Sequence, residues 1–345
     1  MGKREKLSEQ MKKNAAKPIK KEPTLDGHTD VMVSTGSTLL DLVISGGRVR
    51  GGGIPTGISV EAFGPSGSGK TVLLCEIAGD VQRKKGEIMF QDPEARLNEQ
   101  FAMLFDMRVK PENINKPNTV TEVFKSIREW EPKNPDTLNG IFIDSLAALS
   151  TNLEMDNDDG DKMGKRRAKE FSEGFRKHAR ILADRNILTV CSNQIRQTDG
   201  KFGPVYKSPG GEAIGFYTSL RLRHGAIEKL YKTITRKGKE IKKIIGVKTI
   251  IEVFKSSVWK PYGKAPLTII FDYGIDDIRE NLQYIKDFEK NKTYMVGERS
   301  LGVGLLQAIR KVEQEDLIEE LREQVIDLWE EIEEAFKEER QPKQR

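Results

Sequence analysis

GPSGSGKT, residues 64–71, decides the fold of this chain, because it fits the pattern G-x-x-x-x-G-K-[ST] at every fixed position. An apolar stretch at 58–63 precedes it and predicts a strand, and a helical pattern at about 70–85 follows it. Glycines in such a turn let several backbone N–H groups point at phosphate oxygens. The helix N-terminus adds its positive dipole end, so the segment predicts a nucleotide phosphate site between a strand and a helix.

Residues 64–71, here called the phosphate loop, each receive an expected role. Lys70 is expected to neutralise the β- and γ-phosphates, and the Thr71 hydroxyl to complete the shell of a Mg²⁺ ion. ATP with Mg²⁺ is therefore the predicted cofactor. Further contacts with the nucleotide are expected from Gly64, Pro65, Ser66, Gly67, Ser68 and Gly69. The alternative, a glycine-rich turn arising by chance, is disfavoured because pattern and context both match.

Two carboxylates are candidates for the chemistry beside the phosphates. Asp144 follows the apolar run IFI and is expected to give the second metal contact at the end of a strand. Glu94 lies just past a predicted strand at 88–91, at the edge of the sheet where ligands collect, and is expected to orient or deprotonate water. Asp92 is its local competitor. Without the phosphate loop, each would be read as an ordinary loop or helix-starting carboxylate.

Predicted strands alternate with predicted helices through most of the chain. Strands are expected at 58–63, 88–91, 141–144, 187–192 and 219–223, and helices at 37–45 (started by Ser37 or Thr38), 70–85, 94–105, 120–130 and 168–184. This alternation predicts an α/β fold with a mostly parallel twisted sheet flanked by helices. Stretches at 249–255 and 267–271 are expected to extend that sheet in antiparallel fashion.

Composition divides the chain into three parts. Residues 1–30 are basic and polar and are expected to form a weak helix and linker that could contact another subunit. Residues 31–277 are expected to hold the α/β core, and residues 278–345 a small helical region. Its last helix, near 315–339, places acidic residues around apolar residues at helical spacing.

The charge distribution suggests a polyanionic partner. The net charge is only +5, but residues 1–21 carry eight Lys or Arg against two Glu, and residues 231–248 carry seven against one. Such clustering is typical of nucleic-acid-binding surfaces, although solvated lysines explain charge alone equally well.

Three features indicate the compartment. No run of eighteen apolar residues occurs, and the N-terminus lacks an apolar signal segment, so neither a membrane span nor a secretory signal is expected. The two cysteines, Cys75 and Cys191, lie in apolar stretches and are expected to be reduced core thiols. Together these features predict a cytoplasmic protein.

The order of the motifs resembles the RecA family of recombinases. STGSTLLD, GPSGSGKT, QDPEARL, IFIDSLAAL, SNQIR and GGEAIGFYTSLRLR occur in that order between about Val33 and Asp277. The ordered series is more specific than any one motif. The resemblance implies a RecA-type P-loop ATPase core, whereas residues 278–345 resemble the family's C-terminal region only weakly.

The resemblance assigns further roles residue by residue. Glu94 matches the family's catalytic glutamate, and Asp144 matches its Mg²⁺-supporting aspartate. Gln194 matches a glutamine that senses the γ-phosphate and begins the second DNA-binding loop, which makes it a switch of the γ-phosphate type. Phe101 falls where the family stacks an aromatic ring on adenine, and Asn98 falls where an acidic residue usually faces the adenine amino group. A place in the core would suit Phe101 equally well.

Two polar, glycine-containing segments match the family's DNA-binding loops. They are residues 154–165, with the basic residues that follow, and residues 195–211, and both are too long for simple connections. Met163 and Phe202 hold the positions that insert between bases, while cations pair with phosphates. The residues expected to contact DNA are Met163, Gly164, Lys165, Arg166, Arg167, Lys169, Arg176, Arg196, Lys201, Phe202, Lys207, Gly210 and Gly211. The alternative is a pair of flexible surface loops.

The expected subunit contact departs from the family pattern. Lys255 matches the first of two lysines that reach ATP on the neighbouring subunit, and it is therefore a catalytic candidate. Ser257 stands at the position of the second lysine, and Lys260 is the nearest substitute.

The resemblance implies a helical filament on single-stranded DNA, with ATP between adjacent subunits. It also implies pairing and strand exchange with a homologous duplex, and hydrolysis of ATP that DNA stimulates. Two other functions stay open. One is a regulatory or accessory DNA-binding protein that uses ATP as a structural ligand, and the other is a ring-forming DNA motor built on the same core.

Overall fold

The structure, a computed structural model, describes residues 31–156, 163–200, 203–207, 212–338 and 340. The strands are β1 (Met32–Val33), β2 (Ile54–Pro55), β3 (Ser59–Gly64), β4 (Ile88–Gln91), β5 (Ile114–Asn115), β6 (Asn139–Ile143), β7 (Ile187–Gln194), β8 (Arg196–Gly200), β9 (Gly203–Lys207), β10 (Leu220–His224), β11 (Glu228–Arg236), β12 (Lys239–Ser256), β13 (Lys264–Ile270), β14 (Gly274–Ile275), β15 (Tyr294–Val296) and β16 (Arg299–Gly302). The helices are α1 (Thr38–Ser45), α2 (Lys70–Arg83), α3 (Glu99–Met103), α4 (Val120–Glu129), α5 (Asn152–Asp156), α6 (Met163–Asp184), α7 (Glu212–Tyr217), α8 (Asp277–Glu289), α9 (Leu305–Gln314) and α10 (Ile318–Ala335).

One large sheet organises the molecule. Within the described ranges it has ten strands in the order β14-β13-β12-β10-β3-β7-β6-β4-β5, and β11 pairs with the first half of β12. The six strands from β10 to β5 run parallel to one another. Strands β12, β13 and β14 join them in antiparallel fashion. The predicted α/β class is confirmed, as is the antiparallel extension by the stretches at 249–255 and 267–271.

Both faces of the sheet are buried. Along β6, the side chain of Phe142 packs into one apolar cluster, while Ile141 and Ile143 on either side of it pack into a second cluster. Successive side chains of a strand point to opposite faces, so these two clusters lie on the two sides of the sheet. Helix α2 contributes to the first cluster and helix α6 to the second. Cys75 and Cys191 are buried free thiols, one in each cluster.

Local hydrogen bonds explain where helices begin. Ser37 precedes α1 and its side chain accepts the N–H of Leu40, so the cap is Ser37 rather than Thr38. The helix expected at 94–105 is wrong in its first half, because α3 begins only at Glu99. Asp92 holds the backbone there in a turn, since its carboxylate accepts the N–H of Leu97 at 2.9 Å.

Two expected loops are partly regular structure. Helix α6 begins at Met163 rather than Ala168, and the extra turn carries Arg166, which lies 3.7 Å from Glu170 one turn later. In the segment expected to be a loop at 195–211, β8 and β9 form a two-stranded antiparallel hairpin. The described parts of these two segments are therefore helix or strand, although their composition is polar.

The C-terminal region packs three helices, α8, α9 and α10, around the small hairpin of β15 and β16, which the helical expectation missed. The guanidinium group of Arg50 forms ion pairs with three carboxylates of α10. Its nitrogen atoms lie 2.7, 2.7 and 2.8 Å from oxygen atoms of Glu323, Asp327 and Glu330. No helix in the described parts of the chain combines the length and apolar character needed to cross a bilayer.

The first part of β12 and its partner β11 form a two-stranded ribbon that extends beyond the rest of the sheet. Residues 239–244 of β12 pair only with β11, whereas β13 pairs with 246–252 and β10 with 251–256. Lys237 and Gly238 form the turn at the tip, both with positive φ (51° and 74°), as a two-residue hairpin turn of the right twist requires. We call residues 231–244 the basic ribbon.

Candidate nucleotide site and neighbouring segments

The phosphate loop connects β3 to α2 in a conformation that its glycines permit. Gly67 and Gly69 have φ values of 75° and 85°, which residues with a Cβ atom rarely adopt. A Cβ atom on Gly69 would stand 2.1 Å from Cδ1 of Ile269, so this glycine also allows β13 to approach. Lys70 begins α2 and its Nζ donates to the carbonyls of Gly64 and Pro65, at 3.1 and 2.6 Å. The ammonium therefore lies within the curve of the loop, where phosphate is expected.

Asp144 and Thr71 lie together beside Lys70. The Thr71 hydroxyl donates to Oδ2 of Asp144 at 2.6 Å, and the Ser192 hydroxyl donates to Oδ1. Burial raises the pKa of Asp144, although both hydrogen bonds act in the opposite direction. A hard cation prefers oxygen ligands, and this hydroxyl and carboxylate supply them, so the residues present fit Mg²⁺. Burial also lowers the pKa of Lys70, which Asp144 and Glu94 oppose.

Glu94 is held in place by two neighbours. Its Oε1 accepts from the Ser145 hydroxyl at 2.9 Å, and its Oε2 lies 2.6 Å from Nη1 of Arg96. All three residues line the same cavity as Lys70 and Thr71. The competing Asp92 also lines the cavity, but its carboxylate serves the backbone turn described above. Glu94 is thus the better candidate to handle a water molecule near the phosphates.

The cavity continues from the phosphate loop into an apolar chamber, with a volume of about 600 Å³ in all. One wall carries Phe101, whose ring meets Phe105 edge-on at 5.1 Å between centroids. Val247, Ile269 and Phe271 line it from β12, β13 and the residue after β13. Apolar walls of this size suit the faces of an aromatic base.

Asn98 also lines the chamber, and it caps the N-terminus of α3. Its Oδ1 accepts the N–H of Phe101 at 2.8 Å and so caps α3. The side-chain oxygen is thereby engaged, which leaves the NH₂ group as the donor available to a base. An amide presenting a donor differs from the acidic residue that the resemblance leads one to expect.

Gln194 ends β7 directly beside the start of the phosphate loop. It lies opposite Gly64 in the parallel pairing of β3 and β7, and it lines the cavity. The next residue, Ile195, donates its N–H to the Gly64 carbonyl at 3.3 Å. Strand β8 begins immediately afterwards, so the phosphate loop and the second expected DNA segment are joined by one backbone hydrogen bond.

Comparison with known proteins settles the family, since the model of the RecA N-terminal domain matches residues 6–276. The chain belongs to the RecA family. Protein RecA of Thermus thermophilus is 30% identical over 305 residues, which cover 86% of this chain and 85% of that protein. Protein RecA of Borrelia hermsii is 31% identical over 295 residues, which cover 84% of this chain and 79% of that protein.

The residues matched to the first RecA-family DNA loop lie on α6. Met163, Gly164 and Lys165 form its first turn. Arg167 bonds Glu154 at 2.9 Å, while Lys169 stands 3.9 Å from Glu173. The remaining two, Arg166 and Arg176, are exposed. The helix therefore includes Lys165, Arg166 and Arg167, which the sequence placed before the helix expected at 168–184, whereas Lys169 and Arg176 were expected within it.

The residues matched to the second RecA-family loop are divided by the hairpin. Arg196 opens β8 and pairs in register with Lys207 at the end of β9. The other four residues of this segment predicted to contact DNA, Lys201, Phe202, Gly210 and Gly211, lie outside the described residues.

Lys255, matched to the RecA-family lysine that reaches a neighbour, has an internal role. Its Nζ donates to the carbonyls of Gly215, Phe216 and Thr218, at 2.9, 2.9 and 2.8 Å. These carbonyls close the C-terminal end of α7. Burial is the main cause that lowers the pKa of Lys255.

The expected substitute for the second lysine is engaged as well. Nζ of Lys260 lies 3.2 Å from the carboxylate of Glu333 in α10, and 4.9 Å from the ring centroid of Trp259. Ser257 is exposed. Within this chain, then, Lys260 tethers the C-terminal region.

Sequence reasoning missed several residues at the site. Ser145 and Ser192 carry a weak signal, because each adjoins a motif residue on a strand end. Phe271 and Val247 carry none, since apolar residues in a strand look like core. His224 is also new: it is buried in β10 and its Nδ1 lies 2.8 Å from the carbonyl of Ser68 in the phosphate loop. Burial lowers the pKa of His224 to about 4, so the neutral ring donates this hydrogen bond.

Proposed function

We propose that this RecA-family chain is a DNA-dependent ATPase that forms helical filaments on single-stranded DNA and promotes pairing and strand exchange with a homologous duplex. The observation that carries the proposal is the contact between Gly64 and Ile195. It joins the loop that would surround a triphosphate to the strand that leads into a DNA-contacting segment. The proposed setting is the cytoplasm of a bacterium or of a phage-infected cell.

The residues of the cavity divide the work on ATP. Lys70 neutralises phosphate charge, while Thr71 and Asp144 would hold Mg²⁺, which would supply further neutralisation. Glu94 accepts a proton from the attacking water, and its position is fixed by Ser145 and Arg96. Phe101 and the apolar residues of β12 and β13 receive the adenine.

Gln194 communicates the state of the nucleotide to the DNA segments. Its amide contacts the γ-phosphate and shifts the end of β7, which moves β8 relative to the phosphate loop. Ordered segments hold the DNA strand, and hydrolysis loosens them. The basic residues on α6 and in the β8–β9 hairpin supply phosphate contacts, so binding weakens as salt rises.

A second candidate is a regulatory or accessory DNA-binding protein of the same fold, or a ring-forming motor, without strand exchange. The capping of α7 by Lys255 and the serine at position 257 favour it, because both reduce the cations available to a neighbouring subunit. Electron microscopy with ATP and DNA separates filaments from rings.

The deciding experiment measures ATP turnover by the full chain with and without single-stranded DNA, over a series of salt concentrations. The proposal expects stimulation that declines steeply as salt increases. Lys70→Ala serves as the negative control for contaminating ATPases. Equal turnover with and without DNA at every salt concentration would overturn the DNA-dependent function, and absence of strand exchange in a stimulated enzyme would select the second candidate.

A further inference from the structure

The Ser68 carbonyl of the phosphate loop is held by a side chain from a distant part of the sequence. The next carbonyl, that of Gly69, accepts the N–H of Leu73 at 3.0 Å, at the start of α2. The Ser68 carbonyl lies just before this ladder of backbone hydrogen bonds. Among the residues that the structure describes, its one hydrogen-bonding partner is His224, whose Nδ1 lies 2.8 Å away. The orientation of the peptide between Ser68 and Gly69 therefore depends on the last residue of β10.

The main chain of His224 is fixed by strands on both sides. His224 pairs with Ile251 of β12, and Arg223 before it pairs with Phe63 of β3. A Cβ atom on Gly64 would stand 2.7 Å from both the Cβ atom and the carbonyl oxygen of His224, so the start of the loop packs directly against this residue. His224 is only 1% exposed. A donor fixed in this way can hold a loop whose glycines would otherwise leave it flexible.

The hydrogen bond from His224 determines which way the peptide faces. In a trans peptide, the C=O and N–H groups point in opposite directions. Gly69 lines the nucleotide cavity, whereas neither Ser68 nor His224 is among the residues that line it. The Ser68 carbonyl thus points behind the loop, and the Gly69 N–H points towards the cavity. Gly69 has no Cβ atom to oppose rotation of this peptide, and a rotated peptide would turn its carbonyl oxygen towards the phosphates.

The chemistry of the imidazole ring indicates a role beyond packing. Burial lowers the pKa of His224 to about 4, so the ring is neutral, and Nδ1 carries the proton because a carbonyl can only accept. The other ring nitrogen, Nε2, is buried and has no hydrogen-bonding partner among the described residues. An unpaired buried acceptor costs stability that an apolar side chain in the same place would avoid. The donor at Nδ1 is the property that an apolar side chain could not supply.

We propose that His224 is a positioning residue for phosphate binding. By holding the Ser68 carbonyl behind the loop, it keeps the Gly69 N–H aimed at a phosphate oxygen of ATP. The N–H group is then in place before the nucleotide arrives, so binding does not have to reorient the peptide. The inference rests on the proposed function in one respect, that the loop binds the phosphates of ATP, and it requires no DNA.

Four full-length variants separate the donor of this side chain from its volume. His224→Leu and His224→Met keep a large side chain and lose the donor. His224→Asn keeps an NH₂ donor near the position of Nδ1 and loses volume. Leu222→Val is the matched control, because Leu222 is buried two residues earlier in β10 and on the same face as His224. Titration with a fluorescent ATP analogue and Mg²⁺ measures binding, and urea unfolding measures stability.

His224→Leu and His224→Met are expected to bind the analogue about tenfold more weakly, the effect of losing one hydrogen bond to a charged group. His224→Asn should bind within about threefold of the unmodified chain, since its amide can donate to the same carbonyl. Leu222→Val should bind like the unmodified chain. Stability should follow a different order, because asparagine leaves the largest void at position 224. Competition by adenosine, which has no phosphate, should be the same for every variant.

Four results would overturn the proposal. The first is unchanged analogue binding in the variants that lack the donor. The second is binding that follows stability, with His224→Asn weaker than His224→Leu. The third is an equal weakening of adenosine and analogue binding, which would mean that the whole cavity has changed. If the leucine variant does not fold, His224→Met gives the same comparison, and failure of both to fold is the fourth result, because it would assign His224 to stability alone.

Failure of the proposed function looks different. If single-stranded DNA does not stimulate ATP turnover by the unmodified chain, the comparison of analogue binding among the four variants still gives its own answer. If the unmodified chain binds no ATP analogue at all, both the proposed function and the role of His224 are overturned.

Discussion

The nucleotide cavity and the basic ribbon use charge in opposite ways. Lys70 and Asp144 in the cavity are buried or nearly so. Lys70 donates hydrogen bonds to two backbone carbonyls, and Asp144 accepts hydrogen bonds from two hydroxyl groups. Lys232 and Lys243 in the ribbon face each other in solvent. Charge in the cavity is held in place by neighbouring groups, whereas charge in the ribbon is exposed to solvent. The difference predicts that substitutions in the two regions will act on different measurements.

Lys70→Ala should have the largest effect. It removes the only cation of the phosphate loop, so kcat/KM for ATP should fall by at least ~10²-fold, the scale of losing one electrostatic contact to a transition state. Lys125→Ala on the exposed face of α4 is the matched control and should leave kcat/KM unchanged. If purified Lys70→Ala protein turned over ATP near the unmodified rate, Lys70 would not be the cation that neutralises the phosphates.

Glu94→Gln should come next, with a loss of about 10²-fold in kcat, because general-base catalysis typically contributes this much or more. The amide keeps the size and the contact with Ser145, so binding of a fluorescent ATP analogue should persist. Glu99→Gln, an exposed substitution in α3, controls for local charge. If Glu94→Gln weakened analogue binding as much as turnover, Glu94 would be a binding residue instead.

His224→Leu should change how stability responds to pH. The folded-state pKa, about 4, lies below the ordinary value of 6.5, so the unfolded chain binds the proton more readily between these values. Histidine therefore reduces stability as pH falls from about 6.5 towards 4, by about 1–2 kcal/mol at roughly pH 5. The leucine variant lacks this loss. The unfolding free energy of the variant minus that of the unmodified chain should therefore increase as pH falls from roughly 7.5 to 5.

Urea unfolding at the two pH values measures that difference. Using the unmodified chain as reference at each pH cancels the other titrating groups, including Asp41, whose pKa burial raises to about 7. A difference that stays constant with pH would mean that the buried ring is not the proton-sensitive group.

Lys232→Gln in the ribbon should have the smallest effect and the opposite sign. It removes one of two directly opposed cations and should stabilise the fold by a few tenths of a kcal/mol. Lys229→Gln is the control, because Lys229 lies opposite the neutral Val247. Thermal melts in parallel would show the gain, and equal melting temperatures for the two variants would show that the ribbon charges do not repel across the ladder.

The cavity could largely be predicted from the sequence because its charged residues follow short motifs at strand ends. The phosphate loop, Glu94, Asp144 and Gln194 all line one cavity. Its apolar walls could not be predicted, since Val247 and Phe271 come from strands far along the chain and only the topology brings them to Phe101.

The ribbon shows the opposite limit. Its basic composition is evident in the sequence, but which lysines face one another depends on a register fixed by the turn at Lys237 and Gly238. The helix start at Met163 was missed for a related reason, because the i,i+4 ion pairs that extend α6 resemble loop charge until the backbone is known.

The three hydrogen bonds of Lys255 have one more consequence. An ammonium group has three protons, and the carbonyls of Gly215, Phe216 and Thr218 use all of them. Any phosphate that recruits Lys255 must take it from these acceptors, so docking another molecule there frees the last turn of α7. Because α7 begins at Glu212, shortly after β9, a contact that recruits Lys255 changes the backbone next to the segment that we propose contacts nucleic acid.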